Sequence, residues 1–134
     1  MSLLANLPAP LLVFVGGGTG ALCRWLLTVT AGRALGAAFP YGTLAANALG
    51  SLLMGVLTAL LVGIGSKDAA TGENLRLLLG VGVLGGFTTF SSFSMETLKL
   101  LQTQGAGTAA LNVAANLLLG AVCVGCGWYL GRSL

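Results

Sequence analysis

Charged residues are scarce in this 134-residue sequence, at 7% of it, where an ordinary soluble domain has roughly a quarter. So few charges cannot cover a surface that faces water. The mean hydropathy of +0.97 instead indicates lipid as the main solvent. The scarcity of charge therefore excludes a soluble globular protein.

The missing side chains also exclude several kinds of chemistry. The sequence has no histidine, and its three carboxylates are Asp68, Glu73 and Glu96. These residues cannot supply the usual catalytic triad or zinc site, so no enzymatic activity is predicted. The six basic residues are scattered, with no run that would bind a nucleic-acid backbone, so no nucleic-acid partner is expected.

Cysteine is present three times, an odd number that argues against a disulfide framework. Cys123 and Cys126 form a C-x-x-C pair, but no second pair or histidine exists to complete a metal site. All three cysteines, including Cys23, fall in apolar segments and are interpreted as small apolar residues of helix faces.

Four apolar stretches dominate the sequence, each long enough to cross roughly 30 Å of hydrocarbon. They lie near residues 10–31, 42–64, 75–101 and 108–131. The 22 glycines suit helices that approach each other closely in a bilayer. The N-terminus lacks the basic region of a cleaved signal peptide, so the first stretch is expected to be a retained span. The prediction is an all-α membrane protein with one four-helix domain over residues 1–134.

The basic residues are divided almost equally between the two sides of this arrangement. Lys67, Arg76 and Arg132 would lie on one side, and Arg33 and Lys99 on the other. Such a near-tie predicts a weak preference of orientation, and hence insertion in both directions. Because four spans are too few to enclose a wide conduit, a second copy is expected.

Polar residues recur at every fourth position of the second and fourth stretches, which places them along one face of each helix. These faces either line a narrow wet path or form hydrogen bonds between helices. The two sets are Thr43, Asn47, Ser51 and Gly55, and Thr108, Asn112, Asn116 and Gly120.

The third stretch contains a polar run from Gly85 to Ser94, in which phenylalanines alternate with hydroxyl residues. Gly85-Gly86 followed by two β-branched threonines is a poor helix interior, so a break is expected there. A break frees backbone carbonyls, which are natural ligands for a hard cation such as Na⁺ when several converge. Phe90 and Phe93 share a face if the helix resumes.

Two ionisable residues lie within the spans. Arg24, midway along the first, either serves an anion vestibule or forms a structural ion pair, with Glu96 as the candidate partner. Glu96 follows the polar run by two residues and either joins its hydrogen bonds or is solvated near the end of the span.

These residues together resemble the Fluc (CrcB) fluoride channels. The resemblance is carried by Gly16-Gly17 with Gly20-Ala21 and Arg24, by Gly42-Thr43 with Asn47 and Gly50-Ser51, and by the run Gly85 to Phe93, in this order in a four-span chain. It implies an antiparallel, dual-topology homodimer with two pores, with a Na⁺ buried at the centre of the interface between the subunits.

The resemblance also implies roles for individual residues. The backbone carbonyls of Gly85 and Thr88 would hold the Na⁺. Fluoride would meet the ring edges of two phenylalanines, hydroxyl groups and an amide along the pore, with an arginine at the vestibule and a glutamate as an accessory group. These are Phe90, Phe93, Ser92, Thr43, Asn47, Arg24 and Glu96. Many relatives carry Tyr and Ser where Asn112 and Asn116 stand here, and both are expected to line the pore.

The function implied is a passive channel in the cell inner membrane that lets cytoplasmic fluoride leave and so reduces its toxicity. The alternative is a small proton-coupled multidrug exporter of the four-helix dimer type, a class that requires a glutamate in the first span, where this sequence has Arg24. A structural subunit of a larger membrane complex would not require a broken, polar third helix.

Overall fold

The computed structural model of the chain describes residues 7–134, so the first six residues of the predicted domain lie outside it. Four helical spans long and apolar enough to cross a membrane follow one another: Ala9–Leu35 (α1), Tyr41–Lys67 (α2), Ala69–Gln104, and Ala106–Ser133 (α6). The four predicted spans are confirmed. Each is longer than its apolar stretch because the helix continues for one or more residues beyond both ends of it.

The third span is not one regular helix. It consists of Ala69–Leu75 (α3), a π-helical segment Arg76–Leu84, one turn at Gly85–Phe87 (α4), and Phe90–Gln104 (α5). The predicted break is therefore confirmed, and within the glycine–threonine run it lies at residues 88–89. Nothing in the sequence pattern predicted the π-helical segment.

Short turns connect the spans. Gly36 caps the C-terminus of α1 and Gly105 caps that of α5, with φ of 84° and 95° and ψ of 174° at both. This region of backbone space is essentially restricted to glycine. The turn before α3 is held by the Asp68 carboxylate, which accepts the N–H groups of Ala70 and Thr71, each at 3.1 Å. The Thr71 hydroxyl, followed by these N–H groups, holds the pKa of Asp68 below its usual value.

Glycine allows the helices to pack backbone against backbone. A Cβ atom built on Gly82 of the π-helical segment would lie 2.8 Å from the Cα atom of Gly16 in α1. On the other side of the protomer, a Cβ on Gly127 of α6 would meet the Leu52 carbonyl of α2. Lipid tails are as apolar as leucine, so this close van der Waals packing, and not a hydrophobic driving force, holds the spans together.

A matched pair of substitutions in α1 tests this packing. A Cβ on Gly20 would meet the Val83 carbonyl and lie 2.8 Å from the Phe87 nitrogen, whereas one on Gly18 would have no atom within 4 Å. Gly20→Ala should lower the thermal unfolding midpoint of the detergent-solubilised protein, since overpacking costs about 1–3 kcal/mol. Gly18→Ala should leave the midpoint unchanged or raise it. Equal midpoints for the two variants would contradict the packing described.

Candidate functional site

The centre of the site is a two-residue interruption of the third span. Thr88 and Thr89 are extended, with φ and ψ of −84° and 158°, and of −153° and 122°. The Thr88 N–H still donates to the Leu84 carbonyl at 3.0 Å. Thr89 is the N-cap of α5, where its hydroxyl accepts the Ser92 N–H at 3.2 Å. The β-branched threonines that disfavour helix are therefore the residues at which helix is lost.

Asn47 of α2 pairs with the backbone of the interruption. The Thr89 N–H donates to the Asn47 side-chain oxygen at 2.8 Å, and the Asn47 amide nitrogen donates to the Thr89 carbonyl at 3.1 Å. In an extended residue these two backbone groups point the same way, as they do towards a neighbouring strand. The single amide of Asn47 thus takes the place of a neighbouring strand and pairs both groups of Thr89, which is buried.

The predicted polar faces of α2 and α6 meet at this point. The Asn47 amide also donates to the Asn116 oxygen at 2.9 Å, and the Asn116 amide donates to the Asn112 oxygen at 3.1 Å. Asn112 in turn donates to the Thr97 hydroxyl at 2.9 Å. The sequence left open whether these faces form hydrogen bonds between helices or line a path. The Asn47–Asn116 and Asn112–Thr97 contacts are hydrogen bonds between helices, and the Asn116–Asn112 contact lies within α6. The pore-lining role of Asn112 and Asn116 stays a prediction.

Arg24 reaches the interruption from α1. Its Nε donates to the Gly86 carbonyl at 3.1 Å and its Nη1 lies 3.5 Å from the Ser92 hydroxyl. A continuous helix would have paired that carbonyl with the N–H four residues later. Among residues 7–134 the one ion pair joins Arg76 to Glu73 at 2.8 Å, so the suggested partnership of Arg24 with Glu96 is not formed.

Glu96 instead lies beside Thr43. The Thr43 hydroxyl donates to one Glu96 carboxylate oxygen at 2.8 Å, while the other oxygen is buried without a hydrogen-bond partner among the described residues. Both side chains line a cavity of about 320 Å³ under the turn between α1 and α2, together with Thr28 and Lys99. Thr43 and Glu96 are therefore brought together, at the end of the protomer where α5 finishes.

The two phenylalanines are in contact, but Phe93 is buried in the protomer and Phe90 is exposed on its surface. Phe93 is 7% exposed and Phe90 is 76% exposed, and their ring centroids are 5.5 Å apart at an angle of 58°. They line a second cavity of about 480 Å³ with Asn47, Asn116 and the two extended threonines. The motif run, the α2 face and the α6 face thus converge on one cavity.

Ser51 also lines this cavity and was not among the predicted site residues. Its hydroxyl has no hydrogen-bond partner within the described part of the chain. The available signal was its position one turn after Asn47 on the polar face of α2. The sequence places Ser51 on the polar face of α2, but its spacing alone does not distinguish a residue that lines a cavity from one that packs against a neighbouring helix.

The carbonyls of Gly85 and Thr88 have both lost their helical partners. The N–H four residues after Gly85 is that of Thr89, which donates to Asn47, and the N–H four residues after Thr88 is that of Ser92, which donates to the Thr89 hydroxyl. Residues 7–134 contain no cluster of three or more acidic, cysteine or histidine side chains for a metal ion. Backbone oxygens are the fitting donors here, and they suit a hard cation.

Comparison with known proteins places this geometry in a family. The model of the family described as CrcB-like protein, Camphor Resistance (CrcB) matches residues 11–128. The chain is 49% identical over 126 residues to a protein named fluoride-specific ion channel FluC from Novosphingobium aromaticivorans, covering 91% of each. Proteins of the same name from Thermus thermophilus and Caulobacter vibrioides are 47% and 43% identical, each over 92% of this chain and over 94% and 95% of their own lengths. The chain belongs to the CrcB family.

Proposed function

We propose that this chain is a passive, fluoride-selective channel of the cell inner membrane, through which cytoplasmic fluoride leaves down its electrochemical gradient. The observation that carries the proposal is identity of 43–49% over more than nine-tenths of the chain to proteins named fluoride-specific ion channel. No relative's name favours the proton-coupled exporter. We infer no catalysed reaction, because transport of an ion down its gradient requires none.

Hydrogen-bond donors without a fixed positive charge suit a small, strongly hydrated anion, because they replace its water without trapping it. The Ser92 hydroxyl accepts from Thr89 at 3.1 Å and lies 3.5 Å from an Arg24 nitrogen, which leaves its own proton for an ion. Ser51 offers a second unpaired hydroxyl at the cavity. The edges of Phe90 and Phe93 add the positive rim of the aromatic quadrupole.

The charged groups of the pathway lie beside these hydroxyl groups and ring edges. Arg24 binds the Gly86 carbonyl, which fixes its positive charge next to Ser92 and attracts an anion to that point. Thr43 and Glu96 line the cavity of about 320 Å³, which the proposal assigns to one end of the pathway. Both amide hydrogens of Asn47 are already donated, to Thr89 and to Asn116, so the proposal gives Asn47 the role of holding the extended backbone beside the pathway.

The proposal includes an antiparallel homodimer with a structural Na⁺ at its centre. Gly85 is exposed on the protomer surface, and its carbonyl and that of Thr88 lack helical partners. Two copies would bring together four such oxygens, a donor set that suits Na⁺. The exposed ring of Phe90 and the neighbouring Met95, 66% exposed, would then be covered by the partner.

Flux from liposomes tests the function directly. Purified protein is reconstituted in vesicles loaded with potassium fluoride or potassium chloride, and anion efflux is followed with ion-selective electrodes after valinomycin is added. We expect fast fluoride efflux and chloride efflux at the level of empty vesicles. Equal rates for the two anions, or no fluoride efflux, would overturn the proposal.

The role of the Phe90 and Phe93 rings is tested with a matched control. Phe90→Ala and Phe93→Ala should each lower the fluoride efflux rate, by about tenfold or more, because dehydration of the ion is then less well compensated. Phe14→Ala removes a ring from α1 that is 78% exposed, nearly the same as Phe90, and should leave the rate unchanged. Unchanged efflux rates in both Phe90→Ala and Phe93→Ala would show that these rings do not line the pathway.

Orientation in the membrane tests the antiparallel assembly. A C-terminal tag should be accessible from both faces of the membrane, in nearly equal amounts, because the basic residues give almost no bias. Protease protection of the tag in intact cells and in inverted vesicles measures the two populations. A tag found on only one face would exclude an antiparallel dimer.

A further inference from the structure

The two asparagines of α6 are buried in the protomer. Asn112 is 0% exposed and Asn116 is 8% exposed. A buried amide requires partners for its donors and acceptor. Both amide hydrogens of Asn116 are used within α6, since its nitrogen lies 3.0 Å from the Asn112 carbonyl and 3.1 Å from the Asn112 side-chain oxygen. Its oxygen accepts from Asn47. Asn116 has no donor left for an anion.

The hydrogen bonds that link the three asparagines run in one direction, because each amide nitrogen donates to the side-chain oxygen of the next, while the Asn47 nitrogen also donates back to the Thr89 carbonyl. The Thr89 N–H can only donate, so the oxygen of Asn47 faces it and the nitrogen of Asn47 faces Asn116. Each later amide is oriented in the same way, up to the Thr97 hydroxyl, which donates to the Phe93 carbonyl at 2.7 Å. Turning any one amide would set donor against donor and acceptor against acceptor.

This chain of amides joins both ends of the segment that carries the rings. It begins at Thr89, one residue before Phe90, and it ends at the carbonyl of Phe93. Hydrogen bonds in such a series polarise one another in a low dielectric, which strengthens the orientation of each member. The asparagines of α6, acting through Asn47, therefore fix the position of the extended backbone relative to α5.

We propose that Asn112 and Asn116 are positioning residues, which hold Asn47 in the orientation that keeps Thr89 extended, and that neither contacts the permeating ion. The inference rests on the proposed channel function. It assigns selectivity to the alignment of the amides and assigns direct contact with the anion to hydroxyl groups and ring edges. Removing the Asn116 side chain takes away the partner that holds the Asn47 amide from the side of α6. The amide is then held by Thr89 alone, and the extended backbone is no longer tied to α6.

A double-substitution cycle tests the coupling between Asn116 and Asn47. Asn116→Ala should lower both the fluoride efflux rate and the ratio of fluoride to chloride rates, on the order of tenfold. Adding it to Asn47→Ala should have no further effect, because the orientation it supports is already lost. Ser51 has no hydrogen bond to Asn116. When Asn116→Ala is combined with Ser51→Ala, the fold reductions of the efflux rate by the two single substitutions should therefore multiply. If the fold reductions also multiply in the double variant of Asn47→Ala and Asn116→Ala, the inference is overturned.

Amide resonances of the wild-type protein in lipid bilayers give a second test, which does not depend on the variants folding. Solid-state NMR of the side-chain amides should show the Asn112 and Asn116 signals unchanged when fluoride replaces gluconate. A fluoride-dependent shift at Asn116 would overturn the positioning role. Absence of fluoride flux in wild-type vesicles would instead overturn the channel function, so the two failures are distinguishable.

Discussion

Backbone N–H and C=O groups that leave a helix inside a bilayer must find partners in the protein or in a wet cavity, because hydrocarbon offers none. The third span leaves its helix at Thr88 and Thr89, at membrane depth. Both backbone groups of Thr89 are taken by the one side chain of Asn47. An asparagine suits this position because its amide carries a donor and an acceptor side by side, as a peptide group does.

The same interruption determines the remaining polar features of the site. The freed carbonyl of Gly86 is paired with Arg24, which brings a permanent charge to Ser92 without burying it unpaired. The carbonyls of Gly85 and Thr88 remain without helical partners. This one local loss of helix thus provides a carbonyl that Arg24 binds, leaves two carbonyls without helical partners, and sets where the ring-bearing helix α5 begins.

Much of this architecture was readable from the sequence. The four spans follow from long apolar stretches, and the polar faces of α2 and α6 follow from the spacing of Asn47 and Asn116 within their own helices. The break was expected in the run of two glycines and two threonines, and it is found at the threonines. The glycines are helical, and Gly86 packs closely against Gly17.

Contacts between distant parts of the chain were not readable in this way. Asn47 and Thr89 are 42 residues apart, and no periodicity within one helix reveals such a pair. The conformation of Thr89 in lipid bilayers is the most direct test of the central role of this contact. Solid-state NMR with labelled threonine should give extended-region carbon shifts for Thr88 and Thr89 in the wild type, with helical shifts for Gly86 and Phe90. Helical shifts throughout, from Gly85 to Phe93, would contradict the account.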